Sequence, residues 1–329
     1  MKAIRIHEHG GPEVLRYEDA PVPQPAAGEA LVEVHVSGVN FVDTYYRTGL
    51  YKPPSFPCTL GTEAAGVVSV VGSGVTSVRV GDRVAYAMTL GSYAEFAAVP
   101  AWKLARLPES LGFQVGAAMM LQGMTAHYLC YSTYPLKAGD VVLVHAGAGG
   151  VGQLLIQIAR RIGATVYATA GTPQKAQMAK DAGANEAIVY TSQDFEAEVK
   201  KLTGGRGVDV VYDAVGASTF DKSLNCLRPR GYLVFFGQAS GPVPPVDPLT
   251  LMSKGSIFMT RPTLHHYAAT QEEIQGRTDD LFKWLQSGEL KLRCDYTFPL
   301  AEAARAQTEL EARRTTGKVL LRVVPQNDK

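Results

Sequence analysis

One stretch of this 329-residue chain constrains its fold more than any other: His145-Ala146-Gly147-Ala148-Gly149-Gly150-Val151-Gly152. Directly before the glycines, Val141-Val142-Leu143-Val144-His145 reads as a fully buried strand, and Val151 to Ile162 carries apolar residues at helical spacing. Gly147, Gly149 and Gly152 thus stand in G-x-G-x-x-G register between a strand and a helix. Glycines there let the backbone turn tightly and approach a pyrophosphate, whose charge then lies on the helix N-terminus. A tight turn in an unrelated α/β domain would carry the same glycines, so the residues C-terminal to the loop decide between the two.

Those residues repeat strand and helix. Thr165 to Thr169 reads as a strand and is succeeded by a helix opening at Pro173, a residue suited to the first turn. Further strands are expected near Ala187-Ile188-Val189-Tyr190, Val208-Asp209-Val210-Val211-Tyr212 and Tyr232-Leu233-Val234-Phe235-Phe236. Alternation at this spacing predicts a parallel sheet with helices on both faces, and with the glycine loop it predicts dinucleotide binding. An NAD-preferring site places Asp or Glu about 20 residues on, against the ribose 2′-hydroxyl. Here the second strand ends Ala168-Thr169-Ala170-Gly171-Thr172, with no acid, and Lys175 comes next. An acid would repel a 2′-phosphate and a lysine pairs with it, with Gly171 and Thr172 as close donors, so NADPH is the expected cofactor. Lys175 as a solvated helix-face lysine is the competing reading.

Residues 1–123 read differently, dense in Gly, Pro and short apolar runs such as Ala30 to Val36 and Ala65 to Val71, with turns at Gly72-Ser73-Gly74 and Gly81-Asp82. They predict an antiparallel, partly barrel-like β domain. After about residue 262 the chain predicts a helix over Glu272 to Ser287, a second over Leu300 to Glu311 and a closing strand from Lys318 to Val323, which returns to complete that domain. The expected division is therefore 1–123, 124–262 and 263–329.

Composition closes off several classes. With 46% hydrophobic and 19% charged residues the chain buries a sizeable core. The balance of 32 basic and 31 acidic residues, without a basic stripe, speaks against nucleic acid or an anionic membrane surface as partner. Lys2, Arg5, His7 and Glu8 leave no apolar signal segment at the start, and no uncharged stretch is long enough to span a bilayer, so a cytoplasmic location is expected. Cys58, Cys130, Cys226 and Cys294 contain no C-x-x-C pair and predict ordinary buried or half-buried thiols. No Ser-His-Asp arrangement stands out, and His265-His266 has no third ligand nearby in sequence and reads as a loop pair.

Several motifs together make the chain resemble the zinc-independent quinone oxidoreductases, the zeta-crystallin-like branch of the medium-chain dehydrogenase/reductase superfamily. They are Gly38-Val39-Asn40-Phe41-Val42-Asp43, Gly61-Thr62-Glu63-Ala64-Ala65-Gly66, Gln122-Gly123-Met124-Thr125-Ala126, the glycine loop, Gly171 to Lys175, Phe236-Gly237-Gln238 and Gly317-Lys318-Val319. The resemblance covers essentially the whole chain. It implies an α/β fold in which a Rossmann doubly wound parallel sheet is inserted in a GroES-like β-rich catalytic domain built from both chain ends. Carried over by position, Asn40 and Thr125 lie near the nicotinamide and Gly149, Gly150, Val151 and Gly152 at the pyrophosphate. Gly171, Thr172, Lys175 and Tyr190 hold the 2′-phosphate, and Phe236, Gly237, Ser240, Arg261 and Lys318 complete the site. It also implies a homodimer or, in some members, a tetramer.

Zinc-dependent relatives carry Gly-His-Glu where this chain has Gly61-Thr62-Glu63, and a four-cysteine lobe where residues 86–104 hold no Cys. Without those ligands no metal site is expected, and Cys58 is no replacement. Glu63 reads as a buried structural carboxylate. Hydride arriving on a quinone or enone builds negative charge on oxygen, which needs donors nearby. Asn40, Asp43, Tyr45, Tyr46 and Tyr51 fall in one short stretch, with Tyr45 and Tyr51 the expected pocket walls, Tyr51 the expected donor and Asn40 the orienting group. Each tyrosine competes with a reading as a packed surface aromatic. Three functions stay open on the residues: NADPH:quinone reductase; NADPH-dependent reductase of activated C=C bonds, such as enones or 2-substituted acrylates; and a protein kept for binding, as relatives have been recruited as lens crystallins and AU-rich RNA binders.

Overall fold

The computed structural model describes residues 1–324. The chain forms two compact units, one made of Met1–Met124 with the segment from Ala268 onward, the other of Thr125–Tyr267. The expected 263–329 segment thus runs at its end outside the described residues.

The first unit opens with β1 (Lys2–Ile6), β2 (Arg16–Asp19), the long β3 (Glu29–Val39), helix α1 (Phe41–Thr48), β4 (Cys58–Thr59), β5 (Glu63–Val71), β6 (Arg83–Ala87), β7 (Phe96–Pro100) and β8 (Ala105–Arg106). Alternation in β3 sends Ala30, Val32 and Val34 into a core shared with Ala64, Val68, Val84, Tyr86 and Val99. Strand β3 is the hub of the larger sheet, pairing antiparallel with β5 and with β7. Register shifts at Leu31/Val32 and Val34/Val36 bend it. Helix α2 (Phe113–Tyr128) then carries the chain into the second unit.

The second unit is a six-stranded sheet of β9 (Val141–Val144), β10 (Thr165–Ala170), β11 (Glu186–Val189), β12 (Val208–Asp213), β13 (Leu227–Phe235) and β14 (Phe258–Thr260). Its order is β11-β10-β9-β12-β13-β14 and every pairing is parallel. That order reverses between β9 and β12, the arrangement of the Rossmann fold expected from the glycine loop. The connecting helices are α3 (Gly150–Ile162), α4 (Pro173–Asp181), α5 (Phe195–Leu202), α6 (Phe220–Asn225), α7 (Pro248–Ser253) and α8 (Leu264–Tyr267). Helix α3 buries Leu154, Leu155, Ile156, Ile158 and Ala159, the stripe legible in the sequence, and ends at Gly163, whose φ of 99° suits a C-terminal glycine. His265 and His266 lie on the short helix α8 rather than in a loop.

From α9 (Gln271–Ser287) the chain returns to the first unit with β15 (Tyr296–Pro299), α10 (Ala303–Glu311) and β16 (Val319–Arg322). The helix expected from Leu300 begins instead as a 3₁₀ turn over Leu300–Glu302, directly after Pro299. Strand β16 pairs antiparallel with β3, Val319 opposite Val39, so the chain end closes the sheet that its beginning opened. Cys58, Cys130 and Cys226 are buried and Cys294 half-buried, all free. Burial pushes the Cys58 and Cys294 thiols up to about 11, which makes them poor nucleophiles.

Candidate active site

The glycine loop lies where the chain leaves β9. Gly149 is the N-terminal cap of α3 and offers no side-chain acceptor, so the first N–H groups of the helix remain directed outward. Gly152 is pressed on the loop: a Cβ there would collide with the carbonyl oxygen of Ala146. Ala146 itself is held at φ 54°, a left-handed conformation that costs an alanine free energy and recurs at ligand-binding turns. A tight turn over uncapped helix N–H groups fits a pyrophosphate.

The end of β10 gathers the other expected cofactor residues. Thr172 caps α4 by accepting the Lys175 N–H at 3.2 Å, which places Lys175 in the first turn of the helix. Tyr190, 42% exposed, faces Gly171 so closely that a Cβ on Gly171 would lie 2.8 Å from its hydroxyl. Thr191 Oγ1 donates to the Gly171 carbonyl at 3.1 Å. Gly171 and Tyr190 thus adjoin, and Thr172 follows with Lys175 in the first turn of the helix it caps, so the four residues carry hydroxyl, amide and ammonium donors and no carboxylate. That donor set fits a 2′-phosphate.

Phe236, Gly237 and Ser240 come after β13 and pack on the turn after β12. The N–H groups of Phe236 and Gly237 both donate to the Asp213 carbonyl, and Ser240 Oγ donates to the Val215 carbonyl at 2.7 Å. Arg261, past β14, donates to the Phe235 carbonyl and lies 4.8 Å above the Phe235 ring. Thr125 opens the second unit in the last turns of α2, with 7% exposure.

In the first unit the site residues form a buried polar network. Asn40 caps α1, and its N–H donates to Asp43 Oδ2 at 2.8 Å. Its side chain is fixed at both ends: Nδ2 donates to Glu63 Oε2 at 2.8 Å, and Oδ1 accepts from Lys318 Nζ at 2.7 Å. Glu63 also accepts the Leu121 N–H at 2.6 Å, which satisfies its other oxygen. Lys318 therefore has its ammonium paired inside the unit. Asp43 is fully buried and accepts from Thr62 Oγ1 and the Tyr93 hydroxyl, each at 2.9 Å. Burial raises its carboxyl to about 6, against the pull of the Asn40 N–H, the two hydroxyls and the Lys318 charge.

Tyr45, Tyr46 and Tyr51 lie together, the ring of Tyr51 edge-on to Tyr45 at 5.4 Å and to Tyr46 at 5.8 Å. Tyr51 is 41% exposed, whereas partial burial raises the Tyr46 hydroxyl above its ordinary range. Sequence reasoning passed over Thr62 and Tyr93 as partners of Asp43. Thr62 carried a signal, since it stands where zinc-dependent relatives place a ligand; Tyr93, in a short loop, carried none. Among the described residues no group of three or more His, Cys, Asp or Glu side chains is placed to hold a metal ion.

Comparison with known proteins agrees with this fold. Residues 26–109 match the alcohol dehydrogenase GroES-like domain, and residues 150–283 match the family described as zinc-binding dehydrogenase. A quinone oxidoreductase of Pseudomonas aeruginosa is 47% identical over 321 residues, 97% of this chain and 99% of that protein. A 2-haloacrylate reductase of a Burkholderia species is 42% identical over 328 residues, 98% of each chain. The crystal structure of Escherichia coli quinone oxidoreductase complexed with NADPH superimposes with a TM-score of 0.96 at 45% identity, covering 98% of this chain and 100% of that one. With a shared fold, full-length coverage and this identity, the chain belongs to the quinone oxidoreductase family of the medium-chain dehydrogenase/reductase superfamily.

Proposed function

We propose that the chain is an NADPH-dependent quinone reductase that works without zinc. The observation that carries the reading is the acid-free end of β10, where Tyr190 lies against Gly171 and Thr172 caps the helix that has Lys175 in its first turn. The residues present fit NADPH: Gly149, Gly150, Val151 and Gly152 would hold the pyrophosphate, and Gly171, Thr172, Lys175 and Tyr190 the 2′-phosphate. Phe236, Gly237, Ser240, Arg261 and Lys318 are proposed as further cofactor residues, Lys318 acting through its bond to Asn40. The bound cofactor supplies the hydride.

The chain supplies orientation and charge stabilisation. Asn40, immobilised by Glu63 and Lys318, and Thr125 are proposed to orient the nicotinamide. Negative charge developing on the acceptor oxygen calls for a donor, and the exposed hydroxyl of Tyr51 is proposed for it, with Tyr45 as the wall. The position a zinc ligand would take is occupied by Thr62, whose hydroxyl is committed to Asp43.

A second reading, reduction of activated C=C bonds, is favoured by the 42% identity to a 2-haloacrylate reductase. NADPH oxidation against a panel of quinones and a panel of enones and 2-substituted acrylates separates the two. Higher kcat/KM on quinones supports the first reading, and higher kcat/KM on the acrylates replaces it with the second.

A homodimer is proposed through the edge strand β14, which pairs among the described residues with β13 alone. Phe258 and Met259 on it are 50% and 39% exposed, and Leu249 and Met252 on α7 are 64% and 63% exposed. An apolar sheet edge is a template for pairing with a second copy. Light scattering that gives the mass of one chain, 35.3 kDa, would remove the proposal. A cytoplasmic location is proposed with it; no helix among the described residues is long and apolar enough to cross a membrane.

A further inference from the structure

His145, the last residue before the glycine loop, is 1% exposed and hydrogen-bonded through both ring nitrogens. Its Nδ1 lies 2.9 Å from Thr169 Oγ1 near the end of β10, and its Nε2 lies 2.9 Å from Ser223 Oγ on α6. Ser223 in turn lies 3.0 Å from Asp213 Oδ2 at the end of β12. Although the sequence showed no Ser-His-Asp arrangement, the fold assembles these three residue types. The serine hydroxyl sits between imidazole and carboxylate, so the imidazole does not take the serine proton from a nucleophile held by an acid. Ser223 and Asp213 are 0% exposed, out of reach of any substrate. The cluster is therefore structural in its chemistry, and its location gives it a task.

The direction of every bond in it can be assigned. Asp213 receives four donors: the N–H groups of Val215 and Gly216 on Oδ1, and the hydroxyls of Thr219 and Ser223 on Oδ2. A carboxylate with its acceptor sites so filled takes the single Ser223 proton. Ser223 Oγ then accepts from His145, which requires the proton on Nε2. Burial lowers the imidazole's affinity for a second proton, against the attraction of Asp213, so Nδ1 is left as an acceptor for the Thr169 hydroxyl. Protons point one way, from Thr169 through His145 and Ser223 to Asp213.

This run of hydrogen bonds joins all the segments at the reversal of strand order. Thr169 receives the Gly147 N–H on its carbonyl and precedes Ala170-Gly171-Thr172. Asp213 shapes the turn 213–216, on which Phe236, Gly237 and Ser240 are hydrogen-bonded. We propose that His145 is a positioning residue for the cofactor: as the neutral Nε2–H tautomer it sets the glycine loop and the 2′-phosphate patch in register with the turn that carries Phe236, Gly237 and Ser240. The proposal rests on NADPH as the ligand and adds the residue that tunes its affinity.

The test is direct titration of the protein with NADPH, without any acceptor, by nicotinamide fluorescence. His145→Phe keeps the packing on Phe195 and removes both bonds; it should raise Kd about tenfold, and His145→Gln, which keeps a donor toward Ser223, should recover most of that loss. At saturating NADPH the KM for a quinone should stay within about twofold of wild type, a split that general loosening of the fold would not produce. In ¹⁵N-histidine spectra His145 should show protonated Nε2 and bare Nδ1. Should His145→Phe fail to fold, Ser223→Ala carries the same titration. Folded variants that bind NADPH like the wild type, or a His145 protonated on Nδ1, overturn the proposal alone. Wild-type protein that does not bind NADPH overturns it together with the function it rests on.

Discussion

Lys318 Nζ lies 2.5 Å from Glu63 Oε2, and the two side chains are 1% and 0% exposed although 255 residues separate them. The pair ties the closing segment of the chain to β5, and Asn40 bridges both partners. A buried ion pair is tolerated only when its remaining valences are filled, as Asn40 and Leu121 fill them here.

Breaking that pair from one side leaves an uncompensated charge in the core. Glu63→Ala should cost about 3–5 kcal/mol in urea unfolding. Glu63→Ala combined with Lys318→Met should cost less than Glu63→Ala alone. If the double variant is the less stable one, the unpaired Lys318 charge is not what destabilises Glu63→Ala.

Asp43 gives the stability a pH dependence of its own. Its folded value of about 6 lies above the ordinary 3.8, so the folded chain binds this proton more tightly than the unfolded one. The contribution is complete below about pH 3.8 and is lost as pH rises through about 6, a change on the order of 3 kcal/mol. Asp43→Asn retains an acceptor for the Tyr93 hydroxyl and removes the titration. Its stability relative to wild type should therefore rise between pH 4 and pH 7; a difference independent of pH would show that Asp43 titrates normally.

The second unit was legible because its signals are local. Strand β9, the glycines and the α3 stripe are contiguous, and each βα step repeats the pattern. Strand β13 begins at Leu227, five residues ahead of the expected Tyr232, because Pro229 and Gly231 read as turn residues and a register shift at Val208/Val210 accommodates them. Helix α1 carried local signals that went unread, the capping pair Asn40 and Asp43 and Gly49 just past its end, whereas α2 carried none. Ala117, Ala118, Met119, Met120, Met124 and Ala126 are all buried, so α2 is apolar on every side and has no stripe to detect. In the candidate site, individual residues could be named from the family motifs, but their pairing could not: no local pattern links Lys318 to Glu63, or Ser223 to His145.

Lys175 is the residue on which nucleotide choice is expected to turn. Lys175→Ala should raise the KM for NADPH about 10- to 100-fold, the loss of a charge-assisted contact, and change that for NADH about twofold or less. Equal effects on both would remove Lys175 from the 2′-phosphate site.

The proposed independence from metal rests on residues committed to one another: Thr62 and the Asn40 N–H donate to Asp43, and Asn40 Nδ2 donates to Glu63. Prolonged dialysis against a strong chelator should leave quinone-dependent NADPH oxidation within about 10% of the untreated rate, since no Lewis acid is needed to hold the acceptor. Loss of activity restored by zinc would contradict this.

The most direct measurement is kcat/KM of the unmodified protein for NADPH and for NADH, with one quinone held at saturation. The glycine loop, the acid-free end of β10 and Lys175 together predict quinone-dependent oxidation with NADPH preferred by about 100-fold, the equivalent of about 2.7 kcal/mol. Equal use of the two nucleotides, or no oxidation dependent on the quinone, would contradict the assignment.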